Sequence, residues 1–324
     1  MRRTAQNRDR KGVEDGEMAR RDDLVRAAEL IRAGRLVAFP TETVYGLGAN
    51  ALDQAAVERI FHAKGRPGSS PLIVHVDSVA MARGLVADWP AEAETLARRF
   101  WPGPLTLVLR KLPAIPDIVT AGLPTVGIRV PAHPLALKLI RAAGVPIAAP
   151  SANLYTRLSP TTAQHVRHQL GDAVDLILDG GATRLGIEST VLSLAVSPPR
   201  LLRLGMVTQA QIEALIGRVE LAARVEDGAQ ASPGRRRTHY SPRTRLVLVT
   251  PGAPLPPGRG IRLARGAAGP GSMPRDAAAY AAVLYDTLQR LDQEGWDWIA
   301  IEELPASPEW AAIRDRLWRA AAIE

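Results

Sequence analysis

Residues 36–50 read Leu-Val-Ala-Phe-Pro-Thr-Glu-Thr-Val-Tyr-Gly-Leu-Gly-Ala-Asn, and residues 64–67 read Lys-Gly-Arg-Pro. The apolar residues predict a strand over 35–39, which runs into a hydroxyl-rich, glycine-containing loop over 41–48. A helix capped by Asp53 follows and ends at the two cations. This order of strand, polar loop, helix and cations predicts a site where a small polar ligand lies beside a phosphate.

A second polar face is predicted on the strand that covers residues 125–130. Its residues alternate with a period of two, so that Val126 and Ile128 face the core while Thr125 and Arg129 face the other way. Four strand steps separate Thr125 from Arg129, roughly 13 Å. Their side chains could therefore touch opposite ends of a nucleotide-sized ligand.

Other polar residues allow two interpretations each. Ser151 and Asn153 follow a predicted strand over 146–149, where ligand crevices open in α/β folds, but they could equally form a polar turn. His75 lies inside an apolar strand and could be a ligand-binding residue or a core histidine. Lys64 and Arg66 could neutralise phosphate charge or complement a helix dipole.

The pattern Gly-x-Gly-x-x-Ala at residues 46–51 is not a convincing dinucleotide fingerprint. In that fingerprint the first glycine directly follows the strand and opens the helix, whereas here six residues, including Pro40, separate Phe39 from Gly46. We find no Walker loop, no nucleophile elbow and no spacing of His, Asp and Glu that resembles a metal site built from protein side chains.

Composition indicates a globular protein of 324 residues without cysteine, so disulfides and cysteine-ligated zinc are excluded. The sequence contains no membrane-spanning apolar run, and we expect a cytoplasmic location. The net charge of +8 comes from two segments: residues 1–21 hold seven cations and four acids, and residues 232–245 hold five arginines and no acid. The rest of the chain is neutral, which argues against a broad nucleic-acid-binding face.

The pattern of elements predicts an α/β fold with a mixed sheet and four segments. These are a disordered basic tail (1–20), a larger α/β domain (21–218), a linker (219–245) and a small α/β C-terminal domain (246–324). The third segment is predicted to be a linker because Ser-Pro-Gly, three arginines and Thr-His-Tyr-Ser-Pro interrupt the periodic pattern there.

The ordered motifs together resemble the YrdC-like threonylcarbamoyl-AMP synthase family in its long, two-domain form. The resemblance rests on P-T-E-T-V-Y-G-L-G, K-G-R-P, P-L-I-V-H-V, W-P-G-P-L-T, T-V-G-I-R-V-P, A-P-S-A-N, S-P-T-T-A-Q-H-V, D-G-G and G-I-E-S-T-V, in this order. It implies a YrdC-like twisted mixed sheet flanked by helices, plus a small Rossmann-like α/β C-terminal domain.

The resemblance also implies an activity. Members condense L-threonine, bicarbonate and ATP into threonylcarbamoyl-AMP and release pyrophosphate, with Mg²⁺ held largely through ATP oxygens. The product would pass to a threonylcarbamoyl transferase complex that modifies tRNA beside the anticodon. A YrdC-like fold also implies a concave surface that could bind double-stranded RNA.

Site residues carried over from the family fall into three sets. The catalytic set that matches K-x-R and S-x-N is Lys64, Arg66, Ser151 and Asn153. The threonine-binding set is Thr43, His75, Arg129, the Ala149 backbone and Ser189, with Arg129 pairing with the carboxylate. The ATP-binding set is Arg66, Ser70, Thr125, Ser151, Ser159, Arg203, His239 and Tyr240. The resemblance also implies that residues 21–218 are the catalytic domain and that the linker (219–245) folds over the nucleotide as a lid.

The sequence departs from the family pattern at Thr156, where glycine is common, and at Leu204-Gly205-Met206, where Pro-Gly-Gly is commoner. Two other functions remain as alternatives. A non-catalytic YrdC-like protein would bind RNA, weakly and in a salt-sensitive way, through its basic tail and linker. The carbamoyl-transfer domain of hydrogenase maturation proteins is the other, but that system carries cysteine motifs that are missing here.

Overall fold

The structure is a computed structural model of the chain, and it describes residues 22–222 and 240–321. The basic tail, most of the predicted linker and His239 lie outside these residues. Within them, no helix combines the length and apolar character that a membrane crossing requires. The described chain forms two sheets, each flanked by helices.

The larger sheet has ten strands in the order β10-β9-β8-β4-β5-β3-β6-β2-β1-β7 and mixes parallel with antiparallel pairs. The mixed α/β sheet predicted from the sequence is therefore confirmed. Its strands are β1 (Val37–Pro40), β2 (Tyr45–Asn50), β3 (Ile73–His75), β4 (Leu105–Arg110), β5 (Thr125–Arg129), β6 (Ile147–Ala148), β7 (Leu176–Ile177), β8 (Thr190–Ser193), β9 (Arg200–Arg203) and β10 (Glu220–Leu221).

Eight helices accompany this sheet among the described residues, and short polar caps set several of their boundaries. Asp53 accepts the backbone N–H of Ala56 at the start of α2, and Gly65 ends that helix at φ 58°. Both boundaries were predicted from the sequence. The helices are α1 (22–32), α2 (Gln54–Lys64), α3 (Val79–Arg83), α4 (Ala91–Phe100), α5 (Asp117–Thr120), α6 (Pro134–Ala143), α7 (Ala163–Leu170) and α8 (Gln209–Ile216).

The predicted polar loop over 41–48 is wrong in its second half, because Tyr45–Asn50 forms β2 and pairs with β1 and β6. Of the two glycines of this strand, Gly46 lines the cavity described below, whereas Gly48 allows close packing. A Cβ on Gly48 would lie 2.7 Å from the Phe39 ring and 2.8 Å from Ile147. The sequence did not predict this strand because Gly46 and Gly48 have no side chains, so the alternation of polar and apolar side chains typical of a strand is missing.

The smaller sheet has four parallel strands in the order β11-β14-β12-β13. Parallel strands need crossover connections. Helix 277–291 supplies the crossover before the last strand, and helix 311–321 follows that strand. The small α/β fold expected at the C-terminal end is confirmed. Its elements are β11 (Arg245–Val249), β12 (Gly260–Arg265), β13 (Ser272–Met273), α9 (Ala277–Leu291), β14 (Trp298–Glu302) and α10 (Ala311–Ala321).

The two sheets are joined by a common apolar cluster. Val44, Leu158 and Ile187 from the ten-stranded part pack with α9 and α10 residues such as Leu284 and Leu317. Contact is closest at Gly186, where a Cβ would lie 2.2 Å from the carbonyl oxygen of Ala281 in α9. Gly186 also has φ 75°, so both the backbone conformation and the lack of space for a Cβ favour glycine here. This packing brings α9 and α10 against the loop that precedes β8.

Candidate active site

The ends of neighbouring strands enclose a cavity of about 50 Å³. His75 ends β3, Arg129 ends β5, Ala149–Ser151 follow β6, Ser189 precedes β8 and Arg203 ends β9. These strands lie side by side or one strand apart in the larger sheet, so its topology gathers residues that are distant in sequence.

Nine of the predicted site residues line this cavity: Thr43, Arg66, His75, Arg129, Ala149, Ser151, Ser189, Arg203 and Tyr240. Thr41 and Glu188, which were not predicted, also belong to the lining. Five predicted residues lie in the structure but not on the cavity wall: Lys64, Ser70, Thr125, Asn153 and Ser159. His239 lies outside the described residues.

Arg129 is held in one orientation by contacts on three sides. Its Nη2 forms a buried ion pair with Glu42 Oε2 at 2.7 Å, and its Nη1 donates to Thr43 Oγ1 at 3.0 Å. Its Nε donates to the Gly103 carbonyl at 3.2 Å. Glu42 is itself fixed by the backbone N–H of Ala132 at 2.9 Å. The sequence analysis missed Glu42, although this acid lies inside the motif that suggested the site.

His75 offers a neutral imidazole to the cavity. It is 4% exposed and packs edge-on against Phe39 with ring centroids 6.0 Å apart. Burial, together with the positive charge of Arg129, lowers the pKa of His75 to about 3. Its Nδ1 is buried and has no hydrogen-bond partner among the described residues. A polar substrate atom would satisfy this nitrogen, so both interpretations of His75, core residue and ligand contact, are compatible with its position.

Ser189 lies between two parts of the wall. Its hydroxyl is 2.8 Å from Thr106 Oγ1 and accepts from Arg203 Nη2 at 3.1 Å. Arg203 Nε also donates to the Ser189 carbonyl at 3.0 Å. Ser189 is fully buried and Arg203 is 7% exposed. These bonds hold a second guanidinium at the cavity in a defined position, which suits an anionic ligand group.

Arg66 is the third arginine of the wall. Its Nη2 donates to Ser70 Oγ at 2.6 Å and to the Pro71 carbonyl at 3.1 Å, and its guanidinium lies 5.8 Å from the centre of the Tyr155 ring. Ser70 therefore orients Arg66 from outside the cavity. Thr125, at the opposite end of β5 from Arg129, does not line the cavity.

Lys64 and Asn153 lie behind the wall. The Lys64 amine donates to the carbonyls of Ser151 (2.6 Å) and Asn153, and the Asn153 Oδ1 is 3.4 Å away. Asn153 Nδ2 donates to the carbonyls of Leu154 and Arg157. Burial and the charge of Arg66 lower the pKa of Lys64 well below its usual value, while three oxygen acceptors oppose that shift by favouring the ammonium. In this geometry Lys64 and Asn153 hold the loop that carries Ser151 in place through these hydrogen bonds.

Glu188 brings a negative charge to the cavity. Its Oε1 accepts from Ser159 Oγ at 2.6 Å, which places the predicted ATP-binding hydroxyl on a protein carboxylate instead. Its Oε2 accepts from Arg316 Nε at 2.8 Å and from Tyr285 OH at 3.3 Å. Neither Glu188 nor these C-terminal residues were predicted, because the sequence carries no signal for contacts between distant segments.

The described residues contain no group of three or more His, Cys, Asp or Glu that could hold a metal ion. Glu188 is the one carboxylate among the lining residues, and hydrogen-bond donors already occupy both of its oxygens. The donor set therefore suits a cation that arrives on a ligand better than one held by the protein.

Comparisons with known families agree with this architecture. A model of the Sua5/YciO/YrdC family, described as telomere recombination, matches residues 29–205. A second model, described as the C-terminal domain of threonylcarbamoyl-AMP synthase, matches residues 207–322. The matches together span both sheets of the structure.

Individual relatives match over long segments. The threonylcarbamoyl-AMP synthase of Bacillus subtilis is 44% identical over 92% of this chain and 92% of its own length. That of Pyrococcus abyssi is 52% identical over 69% of this chain and 66% of its own length. A crystal structure of P. abyssi Sua5 complexed with L-threonine is similar with a TM-score of 0.86, at 40% identity, over 92% of this chain and 94% of that one. The chain therefore belongs to the Sua5/YciO/YrdC family of threonylcarbamoyl-AMP synthases.

Proposed function

We propose that this protein is an L-threonylcarbamoyladenylate synthase, a nucleotidyltransferase that joins L-threonine, bicarbonate and ATP. The observation that carries the proposal is one cavity with three arginines in its wall, Arg66, Arg129 and Arg203, each fixed by protein contacts. The reaction brings together a carboxylate, a carbamate and a triphosphate, and fixed guanidinium groups are suited to anions of this kind.

On the threonine side, Arg129 would bind the amino-acid carboxylate. The ion pair with Glu42 and the bond to Thr43 orient the guanidinium before the substrate arrives, which reduces the cost of ordering it. His75 is uncharged at neutral pH, so it would not repel the amino group, and its buried Nδ1 can accept a hydrogen bond from it. Ala149 donates its N–H to Ile73, so its carbonyl is the group that could accept from substrate.

On the nucleotide side, Arg66, Ser151 and Arg203 would contact ATP. The nucleotide would enter as its magnesium complex, because the described residues supply no carboxylate cluster for the ion. The magnesium would neutralise part of the triphosphate charge. Lys64 and Asn153 would act by holding the Ser151 loop, and Ser70 by orienting Arg66.

The chemistry then needs positioning more than acid–base catalysis. Bicarbonate takes up a proton and loses water to give carbon dioxide. The threonine amine adds to the carbon dioxide and releases a proton, which gives a carbamate and balances the proton taken up by bicarbonate. A carbamate oxygen attacks the α-phosphorus, the new P–O bond forms, and the bond to pyrophosphate breaks with its electron pair on the leaving group. Arg66 and Arg203 would stabilise the charge on the phosphoryl oxygens and on pyrophosphate.

The cavity is small for a nucleotide. A volume of about 50 Å³ is far below the roughly 300–1,000 Å³ of small-molecule sites. Tyr240, which is 1% exposed and lines the cavity, lies within the predicted linker. We place the catalytic domain at 21–218, the lid at 219–245 and the C-terminal domain beyond it, with Tyr240 as the part of the lid that reaches the cavity.

The product is a mixed anhydride of a carbamate and AMP, so it is a reactive donor that a second enzyme must consume. We assign that step to a threonylcarbamoyl transferase complex acting on tRNA in the cytoplasm. Direct RNA binding by this chain is the competing function, and it would need neither Lys64 nor Ser151.

The decisive experiment measures pyrophosphate release from MgATP and bicarbonate, with and without L-threonine. We expect release that depends on threonine and bicarbonate, and its loss in Arg66→Ala. Lys138→Ala is the matched control, because Lys138 is an exposed cation on α6 and should keep full activity. Release that is indifferent to threonine, combined with salt-sensitive RNA binding, would support the competing function instead.

A further inference from the structure

The C-terminal helix α10 lies behind the cavity wall, where its Arg316 contacts the lining residues Glu188 and Tyr240. Arg316 of this helix is 1% exposed, although guanidinium groups are rarely buried so fully. Its Nε donates to Glu188 Oε2 at 2.8 Å, its Nη2 to the Leu204 carbonyl at 2.8 Å, and its Nη1 to Asp315 at 3.0 Å. All three guanidinium nitrogens of Arg316 therefore donate a hydrogen bond, and two of the three acceptors belong to the ten-stranded part of the molecule.

The carboxylate that Arg316 meets faces the cavity. Glu188 lines it together with Ser189 and Arg203, and it is 6% exposed. Burial alone would raise the pKa of Glu188, but the charges of Arg316 and Arg203 and the Ser159 hydrogen bond outweigh burial and lower it. Glu188 is thus a buried anion beside the place proposed for a triphosphate. Without a counter-charge it would repel that ligand.

Arg316 also supports Tyr240. Its guanidinium lies 5.3 Å from the centre of the Tyr240 ring. The same ring stacks on Tyr285, with 5.9 Å between the two ring centres. Tyr240 has φ 64°, a conformation that costs a non-glycine residue free energy and persists only where its surroundings impose it. The next residue is fixed as well, because Ser241 donates to the carbonyls of Thr156 and Ala320.

We propose that Arg316 is a positioning residue of the nucleotide subsite, which neutralises Glu188 and holds Tyr240 against the cavity. The C-terminal unit would then contribute to ATP binding through a buried ion pair rather than through direct contact with the substrate. This inference rests on the proposed function, since it assumes that the Glu188 side of the cavity receives the triphosphate.

The test uses the full-length protein and compares Arg316→Met, the double variant Arg316→Met with Glu188→Gln, and Arg314→Met. Removing one partner of a buried charge pair leaves the other uncompensated, so Arg316→Met should raise the KM for ATP at least about tenfold. The KM for threonine and kcat should change much less. In the double variant the anion is gone, and the KM for ATP should return to within about threefold of wild type.

Arg314 is the matched control, because it lies on the same helix and donates to the Pro305 carbonyl away from Glu188. Its replacement should leave the KM for ATP unchanged. A purely structural role for Arg316 would lower the melting temperature and the yield of active enzyme, without a selective rise in the KM for ATP over the KM for threonine. An unchanged KM in Arg316→Met, or a double variant no better than the single one, overturns the proposal.

Two further measurements keep the outcome decisive. If Arg316→Met cannot be purified in folded form, Arg316→Lys replaces it. Lysine keeps the positive charge but lacks the planar guanidinium that donates to Glu188, the Leu204 carbonyl and Asp315 from separate nitrogens, so the KM for ATP should still rise about threefold, and no rise overturns the proposal. If the wild type releases no pyrophosphate, the proposed function fails. Calorimetric titration of the same variants with MgATP then tests Arg316 separately: weaker binding, restored in the double variant, supports it, and equal binding or none overturns it.

Discussion

Replacing Glu42 by glutamine tests whether the protein orients Arg129 before substrate binds. Both side chains are buried, at 3% and 4% exposure, and their charged atoms are 2.7 Å apart. Removing one partner of such a pair typically costs about 3–5 kcal/mol. A Coulomb term at a separation of about 4 Å and an effective dielectric constant of about 20 is of similar size, about 4 kcal/mol.

We expect Glu42→Gln to lower the free energy of unfolding by about 3 kcal/mol, near the lower limit. The glutamine oxygen can still accept the Ala132 N–H, and Arg129 keeps its bonds to Thr43 and Gly103. For a chain of 324 residues, whose unfolding entropy is about 0.7 kcal/mol/K, that loss corresponds to a fall in melting temperature of about 4 °C. Differential scanning calorimetry of the wild type and the Glu42→Gln variant measures it directly.

Threonine should restore part of this loss, because its carboxylate would supply the missing negative charge at Arg129. The Glu42→Gln variant should therefore gain more thermal stability from saturating threonine than the wild type gains. Glu94→Gln is the control: Glu94 pairs with Arg83 and Arg98 on the surface, and its loss should have little effect. A change below about 1 °C in Glu42→Gln, or no extra gain with threonine, would refute the reasoning.

Three other substitutions have calculable outcomes. Thr156 has φ 69°, so Thr156→Gly should raise the unfolding free energy by up to about 1 kcal/mol while Thr156→Ala should not; denaturant titration distinguishes them. Gly186→Ala should lower the melting temperature well beyond Gly181→Ala, because both have positive φ but only Gly186 meets α9; equal losses would contradict the close contact. The folded-state pKa of His75, about 3, lies below its unfolded value near 6.5, so its contribution to stability is complete above pH 6.5 and falls by about 1.4 kcal/mol per unit towards pH 3. His75→Asn should remove that part of the acid slope, and an unchanged slope in pH-dependent denaturation would show that His75 is not its source.

Local patterns in the sequence were sufficient for most elements. Helix α2 was predicted with its cap at Asp53 and its end at Gly65, because capping residues and helical periodicity act within a few neighbours. Strand β2 was missed because Gly46 and Gly48 carry no side chains to alternate. Its strand conformation comes from pairing with β1 and β6, which no window of sequence contains.

The sequence alone, through its motifs, determined the family and nine of the residues that line the cavity. Only the tertiary structure decided what surrounds them. It paired Arg129 with Glu42, set Lys64 behind the Ser151 loop, and brought Arg316 to Glu188 across 128 residues of chain. Charge compensation and burial depend on distances in space, and those distances exist only after both sheets have packed together.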